Sequence, residues 1–400
     1  MNRKILRRVF CPSLAVLLFQ FSQSVFAGGL YISEGASPAS VGTAGVFNVV
    51  NNVEASSAFT NPAGMTGLKE DQTMIGLQLA IPETRFDSSI AEAGGSDGGN
   101  AGEVAGIPGF FWVKGMTDKW KLGFSAVAPI GGGVDYGDDF VGRYQTTEAF
   151  LSALALSASG GYKLNDDTSI GFGLSAVYQV FELGVAINNR APLGLPDAKV
   201  EIEDADDWGF QPFFGLTHQI NDRLMLGFTY RGEFDVDLEG DLKFTNTGPL
   251  LNQLSSKVDE ATFGLDYVDA YTLGFKYKYR DDLTLFFDVN YETWSDFSEN
   301  RIDIEGSGAS RAVSATIDRN WDDTWHIGFG FARKLGDDRL FTFGVAYDSS
   351  PVDDDDRTAD LPADEQFKFA LGWSKVKPDR VRSIGFTFIH LGDNRIDQTT

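Results

Sequence analysis

Apolar and polar residues alternate along most of this chain. Over Leu224 to Leu238, Leu224, Leu226, Phe228, Tyr230, Phe234, Val236 and Leu238 fall on one face. Arg223, Thr229, Arg231, Glu233, Asp235 and Asp237 fall on the other. A period of two is a strand with one apolar and one wet face. The pattern predicts thirteen strands, at about 71–87, 103–116, 119–131, 148–164, 167–184, 206–220, 223–238, 266–280, 282–298, 313–335, 338–349, 365–377 and 380–391. Short connectors such as Thr117-Asp118, Asn165-Asp166, Asn221-Asp222, Gly336-Asp337 and Pro378-Asp379 carry turn chemistry. They alternate with long ones at about 88–102, 132–147, 185–205, 239–265, 299–312 and 350–364. Short turns on one side and long loops on the other describe a transmembrane antiparallel β-barrel of the outer-membrane type.

The faces agree between strands. Tyr271, Leu273, Phe275, Tyr277 and Tyr279 alternate with Thr272, Gly274, Lys276, Lys278 and Arg280. Trp112, Trp120, Trp294, Trp325 and Trp373 near strand ends suit interfacial girdles. A lipocalin-like soluble barrel turns its apolar face inward and has eight strands. Single-chain bacterial barrels have even strand numbers, so thirteen is one short. Either a final strand is absent, as from a truncated reading frame, or the barrel is odd, or one strand is overlooked. The polar run Asp393 to Thr400 reads as the start of a further outer loop.

The ends change the picture. Arg3, Lys4, Arg7 and Arg8, an apolar Val9 to Phe19 and Val25-Phe26-Ala27 form a signal peptide over residues 1–27. Cys11, the chain's one cysteine, leaves with it, so no thiol chemistry is expected. Its loss also takes the net charge from −24 to −28, which argues against a nucleic-acid partner. Acids gather in predicted loops, at Glu201 to Asp207 and Asp353 to Asp356. They form a solvated rim, or are bridged by divalent cations to lipopolysaccharide. Residues 28–70 do not alternate and are rich in Gly, Ala, Ser and Asn. We read them as a plug, or hatch, inside a barrel of residues 71–400.

Several short motifs stand in a fixed order: Asn61-Pro62-Ala63-Gly64, Asp139-Phe140-Val141-Gly142-Arg143-Tyr144, Asp207-Trp208-Gly209-Phe210, Leu226-Gly227-Phe228-Thr229-Tyr230-Arg231 and Gly344-Val345-Ala346-Tyr347-Asp348. In this order the chain resembles the FadL/TodX family of outer-membrane transporters for long-chain fatty acids and other hydrophobic compounds. The resemblance implies a 14-stranded barrel blocked by an N-terminal hatch, with the last strand missing here. It also implies an outer groove, a lumenal pocket, a moving hatch and lateral exit at a kinked third strand. Asn61, Pro62 and Ala63 would be the hatch motif. Pro129, Gly131 and Gly132 would make the kink, since proline removes a ladder donor and glycine weakens pairing; the plainer alternative is that Pro129 merely ends a strand.

A hydrophobic ligand needs an apolar path with few polar groups, and no catalysis. Candidate contacts are Phe47 and Phe59 in the hatch, and Phe140, Val141, Tyr144, Phe150 and Leu151 around the second long loop. A carboxylate headgroup would want a base, and Arg143, Lys276 and Lys278 are available, each able instead to pair with lumen acids. The three histidines lack metal-ligand spacing and stand beside no nucleophile set, so no metal, cofactor or enzyme activity is expected. His326 falls on the lumen face. Expected partners are a long-chain fatty acid or other hydrophobic small molecule, outer-membrane lipid and lipopolysaccharide, the barrel acting as a monomer. The rival is a general porin, with a watery lumen and no plug.

Overall fold

A computed structural model describes residues 30–32, 34–35, 37–88, 94–189, 195–248, 258–306 and 313–397. The expected signal peptide, 1–27, lies outside the described residues. The fold is an antiparallel sheet of 17 strands. They are β1 (Gln72–Ala80), β2 (Ala105–Gly115), β3 (Trp120–Asp135), β4 (Glu148–Lys163), β5 (Thr168–Ile187), β6 (Ala198–Asn221), β7 (Leu224–Arg231), β8 (Phe234–Thr245) and β9 (Val258–Tyr267). Then follow β10 (Ala270–Arg280), β11 (Leu283–Glu292), β12 (Glu299–Gly306), β13 (Val313–Asp318), β14 (Thr324–Lys334), β15 (Arg339–Asp348), β16 (Gln366–Lys377) and β17 (Arg380–His390). Thirteen make the wall: β1 to β7 pair in sequence, then β7 with β10, β10 with β11, β11 with β14, and β14 to β17 in sequence. Each has a counterpart among the thirteen predicted strands. Among the described residues no ladder joins β17 to β1. No described helix is long and apolar enough to cross a membrane.

The other four strands correct the sequence reading. The described parts of the predicted loops 185–205, 239–265 and 299–312 are largely strand. β8, β9, β12 and β13 extend the upper half of β6 into a branch of the same sheet above the wall, paired β6–β8–β9–β12–β13. Leu224 to Leu238 is therefore two strands, broken at Gly232-Glu233. In β7, Leu226 and Phe228 look outward and Met225 and Gly227 are buried in the lumen. In β8 the sense is reversed: Phe234, Val236 and Leu238 are buried while Asp235, Asp237 and Glu239 are exposed. The same reversal separates β9, with Phe263 and Leu265 inside, from β10, with Tyr271 and Leu273 outside. In lipid the apolar face must point out; beyond the membrane it must point in. Trp294 is corrected as well. It is no girdle residue but fully buried, with Tyr31, Phe297 and Trp321 around it and its Nε1–H donating to Glu292 at 2.5 Å.

The N-terminal segment lies within the wall. Short helices α1 (Pro38–Val41) and α2 (Ser57–Thr60) and 3₁₀ turns at Asn48–Val50 and Pro62–Gly67 pack on lumen faces from β3 round to β17. Ser37 caps α1, and Asn61 caps the second turn by accepting from Ala63 N–H at 3.1 Å. Close docking is permitted by lumen-facing glycines. A Cβ on Gly215 would stand 2.1 Å from Asn61 Oδ1, and one on Gly171 2.4 Å from the Ala63 nitrogen. Side chains there would exclude the segment.

Candidate functional site

Two cavities and a break in the wall form the candidate path. The outer cavity, of about 250 Å³, is lined by Phe86, Phe140, Val141, Tyr144, Ala359 and Ile396, among others. It sits where loops meet: the turn after β3, the loop before β16 and the chain following β17. Phe140 is its floor, stacked on Tyr136 at 4.2 Å and met edge-on by Phe86 at 5.0 Å. Tyr136 in turn donates its hydroxyl to the Ala359 carbonyl at 3.2 Å. Arg143 is buried beneath the groove and its donors are spent on the loops. It binds Asp197 at 2.8 Å and the carbonyls of Gly94 and Phe140 at 2.7 and 3.0 Å. It also donates to the Tyr144 hydroxyl at 3.2 Å, which itself donates to Asp197 at 3.0 Å. Arg143→Ala strands a buried carboxylate and several carbonyls, so it should cost about 3 kcal/mol locally. Limited proteolysis of the outer loops checks this: cleavage should accelerate while the barrel stays intact.

The inner cavity, of about 150 Å³, lies in the lumen above the N-terminal segment. Its apolar side is Tyr31, Phe59, Pro129, Phe213 and Phe214. One side carries charge. His326 Nδ1 lies 2.6 Å from Asp348, and Lys368 Nζ lies 3.0 Å from both Asp348 and Glu34. Glu292 accepts from Trp294 and, at 2.7 Å, from Asn290. Arg231, two strands from Glu292 and in register with it through Ala270, differs. Its guanidinium donates to Gln211 at 3.1 Å and to the Phe59 carbonyl at 3.0 Å, and lies 4.3 Å over the Phe59 ring. Among the described residues no carboxylate pairs with it. Among the described residues, the cavity therefore holds one guanidinium that neutral groups position and that has no carboxylate in ion-pair contact.

The break is in β3. Its register with β4 shifts between Val127 and Ile130, a bulge centred on Ala128-Pro129. β2 pairs with β3 only as far as Gly109↔Val127, so Ala128 to Asp135 have a strand neighbour on one side alone. β3 does not end at Gly131, as the sequence suggested; it bulges and continues to Asp135. The vacant side is met from within. Tyr31 bridges to Ile130, Ile32 N–H donates to the Pro129 carbonyl at 2.8 Å, and Ile32 packs with Ile107 and Ala128.

The structure gathers Phe140, Val141 and Tyr144 at the outer groove, and Phe59 and Pro129 at the inner cavity. Phe47 sits lower, edge-on to Phe286 at 5.3 Å with Lys276 above it. Leu151 is in the core between the cavities, whereas Phe150 is half-buried on the outer face of β4 and lines neither. Gly131 and Gly132 are buried in β3 beyond the bulge. Asn61 Nδ2 donates to the Val49 and Leu216 carbonyls at 2.6 and 3.3 Å, tying Asn61-Pro62-Ala63 to the wall. Lys276 donates to Asn52 at 2.6 Å and Lys278 pairs with Asp281 at a turn. Sequence reasoning passed over Arg231, Tyr31, Glu34 and Lys368. Arg231 falls in the lumen phase of its strand, a signal that was legible. Nothing local marks the other three, whose roles depend on contacts across the barrel.

A family model described as outer membrane protein transport protein (OMPP1/FadL/TodX) matches residues 18–400. A long-chain fatty acid transport protein of Escherichia coli O6:H1 is 22% identical, over 94% of this chain and 90% of its own. Outer membrane protein P1 of Haemophilus influenzae is 22% identical, over 92% and 90%. The crystal structure of a Pseudomonas aeruginosa FadL homologue shares the fold at TM-score 0.75 and 20% identity, covering 90% of each chain. The CymD monoaromatic hydrocarbon channel does so at 0.65 and 18%, covering 90% of this chain and 94% of its own. This chain is a β-barrel of the bacterial outer membrane and belongs to the OMPP1/FadL/TodX family of outer membrane transport proteins.

Proposed function

We propose that the chain carries hydrophobic molecules with an acidic head, long-chain fatty acids foremost, passively across the outer membrane. The observation that carries this reading is Arg231. The other charged groups of this cavity are held in contact with one another or with polar donors, whereas a guanidinium without a carboxylate is costly to desolvate and has no use in carrying neutral hydrocarbon alone. A fatty carboxylate would supply the missing partner, its tail lying against Phe59, Phe213 and Tyr31. Relatives named for long-chain fatty acids and a fold neighbour named for monoaromatic hydrocarbons bring both ligand classes into consideration.

In this scheme the ligand lands in the groove at Phe140, Val141 and Tyr144, then passes to the inner cavity. About 150 Å³ holds a molecule of benzene size, too little for a long acyl chain. Passage therefore requires the N-terminal segment, acting as the hatch, to yield. Withdrawal of Tyr31 and Ile32 from β3 would enlarge the cavity and uncover the bulge at Pro129 as a lateral exit. A general porin would need an open aqueous lumen, whereas here the N-terminal segment packs against most of the wall.

The test is uptake of labelled oleate and labelled toluene by cells lacking their own transporter and expressing this chain. Oleate uptake should exceed background. Arg231→Met should lower it about tenfold or more, the value of a charge-assisted hydrogen bond, with toluene little changed. Oleate uptake indifferent to Arg231→Met would remove the headgroup contact. No uptake of either compound by a folded barrel would remove the transport reading.

A further inference from the structure

The wall carries a basic patch that the transport path does not use. On β16, Trp373, Lys375 and Lys377 are exposed on the outward face, continuing Phe367, Phe369 and Leu371. On β17, Arg380 and Arg382 are exposed in phase with Ile384, Phe386 and Phe388. The register sets these residues face to face: Trp373↔Ile384, Lys375↔Arg382 and Lys377↔Arg380. Arg339 of β15 lies opposite Lys375 on the third strand and is shared with Asp338 at 3.6 Å. Lys375, Lys377, Arg380 and Arg382 form no ion pair among the described residues, and neither does Asp379 in the turn between them. Like charges directly opposite across a ladder destabilise it. An anion from outside the chain would relieve two such pairs in succession.

Depth identifies that anion. Interfacial aromatics such as Trp373 mark the boundary of the hydrocarbon. Lys375 and Arg382 lie two residues beyond it toward the turn, about 7 Å along the strand, the level of lipid phosphates. The turn Pro378-Asp379 is on the short-turn side, which in outer-membrane barrels is periplasmic, so the phosphates belong to the inner leaflet. The chain carries a net charge of −24, so its average field repels anions and the patch is a local exception. We propose that Lys375, Lys377, Arg380 and Arg382 form a binding site for the phosphate headgroups of anionic glycerophospholipids of the inner leaflet.

The full barrel, placed in nanodiscs of phosphatidylcholine doped with phosphatidylglycerol and extracted gently, should retain phosphatidylglycerol selectively by native mass spectrometry. A cation near an anionic surface contributes about a fivefold preference. Lys375→Gln/Arg382→Gln should therefore lower retention by tenfold or more, while Lys375→Arg/Arg382→Lys keeps it. Lys114→Gln/Lys119→Gln, which removes two cations elsewhere on the short-turn side, should leave it unchanged. If the double glutamine variant fails to assemble, Lys375→Gln alone should lower retention about fivefold. Equal retention by wild type and an assembled glutamine variant overturns the proposal. So does displacement of the lipid by inorganic phosphate alone, since the site would then recognise a free anion.

Discussion

Gly215→Val is expected to make the barrel conduct. The new Cβ would fall 2.1 Å from Asn61 Oδ1 and 2.9 Å from Pro62 Cδ, so the Asn61-Pro62-Ala63 turn must leave. Valine suits a strand and Gly215 pairs normally with Thr229, so the wall itself should assemble. What is lost is the Asn61 cap of the Pro62–Gly67 turn and its bonds to the Val49 and Leu216 carbonyls. Cap loss costs about 1 kcal/mol, and forced overpacking adds about 2 kcal/mol. Together they shift the seated-to-released ratio by about a hundredfold. Single-channel recording in planar bilayers measures this directly: long open states should appear in the variant and be rare in wild type. Gly215→Ala, with the same Cβ and less bulk, should fall between them. Unchanged conductance from a heat-modifiable, folded variant would mean that the turn is not what blocks the lumen.

The wall was legible because lipid enforces the period-two pattern and short turns advertise themselves as Asn-Asp or Gly-Asp. The branch β8–β9–β12–β13 was not, for a physical reason. β8 alternates as cleanly as β7, but alternation does not say which medium covers the apolar face. Only the two-residue break at Gly232-Glu233 reverses the sense, and a strand pattern with one pause still reads as one strand. Trp294 was misplaced by the same logic, since an aromatic at a strand end looks alike whether it meets lipid or Tyr31. Of the residues that motif and kink chemistry single out, Phe140, Val141 and Tyr144 line the outer cavity and Pro129 the inner one. For Arg143 the sequence left open a headgroup contact or an acid partner; the acid it meets, Asp197, is 54 residues away in sequence and invisible to local reading. Arg231 was placed on the correct face, yet its significance lies in lacking an acid, a property of the whole cavity.

Glu34→Lys should release the N-terminal segment from β3. Glu34 and Lys368 are both buried, with Nζ 3.0 Å from Oε1, and Lys368 is the cation through which Glu34 is held near Asp348. A lysine at position 34 would bring two ammonium groups to about 4 Å, where like charges repel by about 4 kcal/mol at a protein-like dielectric. That is about a thousandfold in the seated-to-released ratio, enough to make a buried closed state the minor one. Residues 30–32 are two to four positions away and hold β3 through a single backbone bond and one bridge, so they should leave with it. The sensitive probe is hydrogen exchange at the Ile32 amide, which donates to the Pro129 carbonyl; its protection should fall towards that of free chain. Uptake of a hydrophobic dye should rise in parallel as the bulge is uncovered. Adding Lys368→Gln supplies the control. The new lysine then faces Asp348 without a rival ammonium, so protection at Ile32 should return and uptake should fall. If Ile32 stays protected in Glu34→Lys, the ion pair does not hold the segment, and the closure of β3 must rest on the Ile32–Pro129 backbone bond, the Tyr31 hydroxyl's bonds with Val268 and Gln211, and the packing of both side chains.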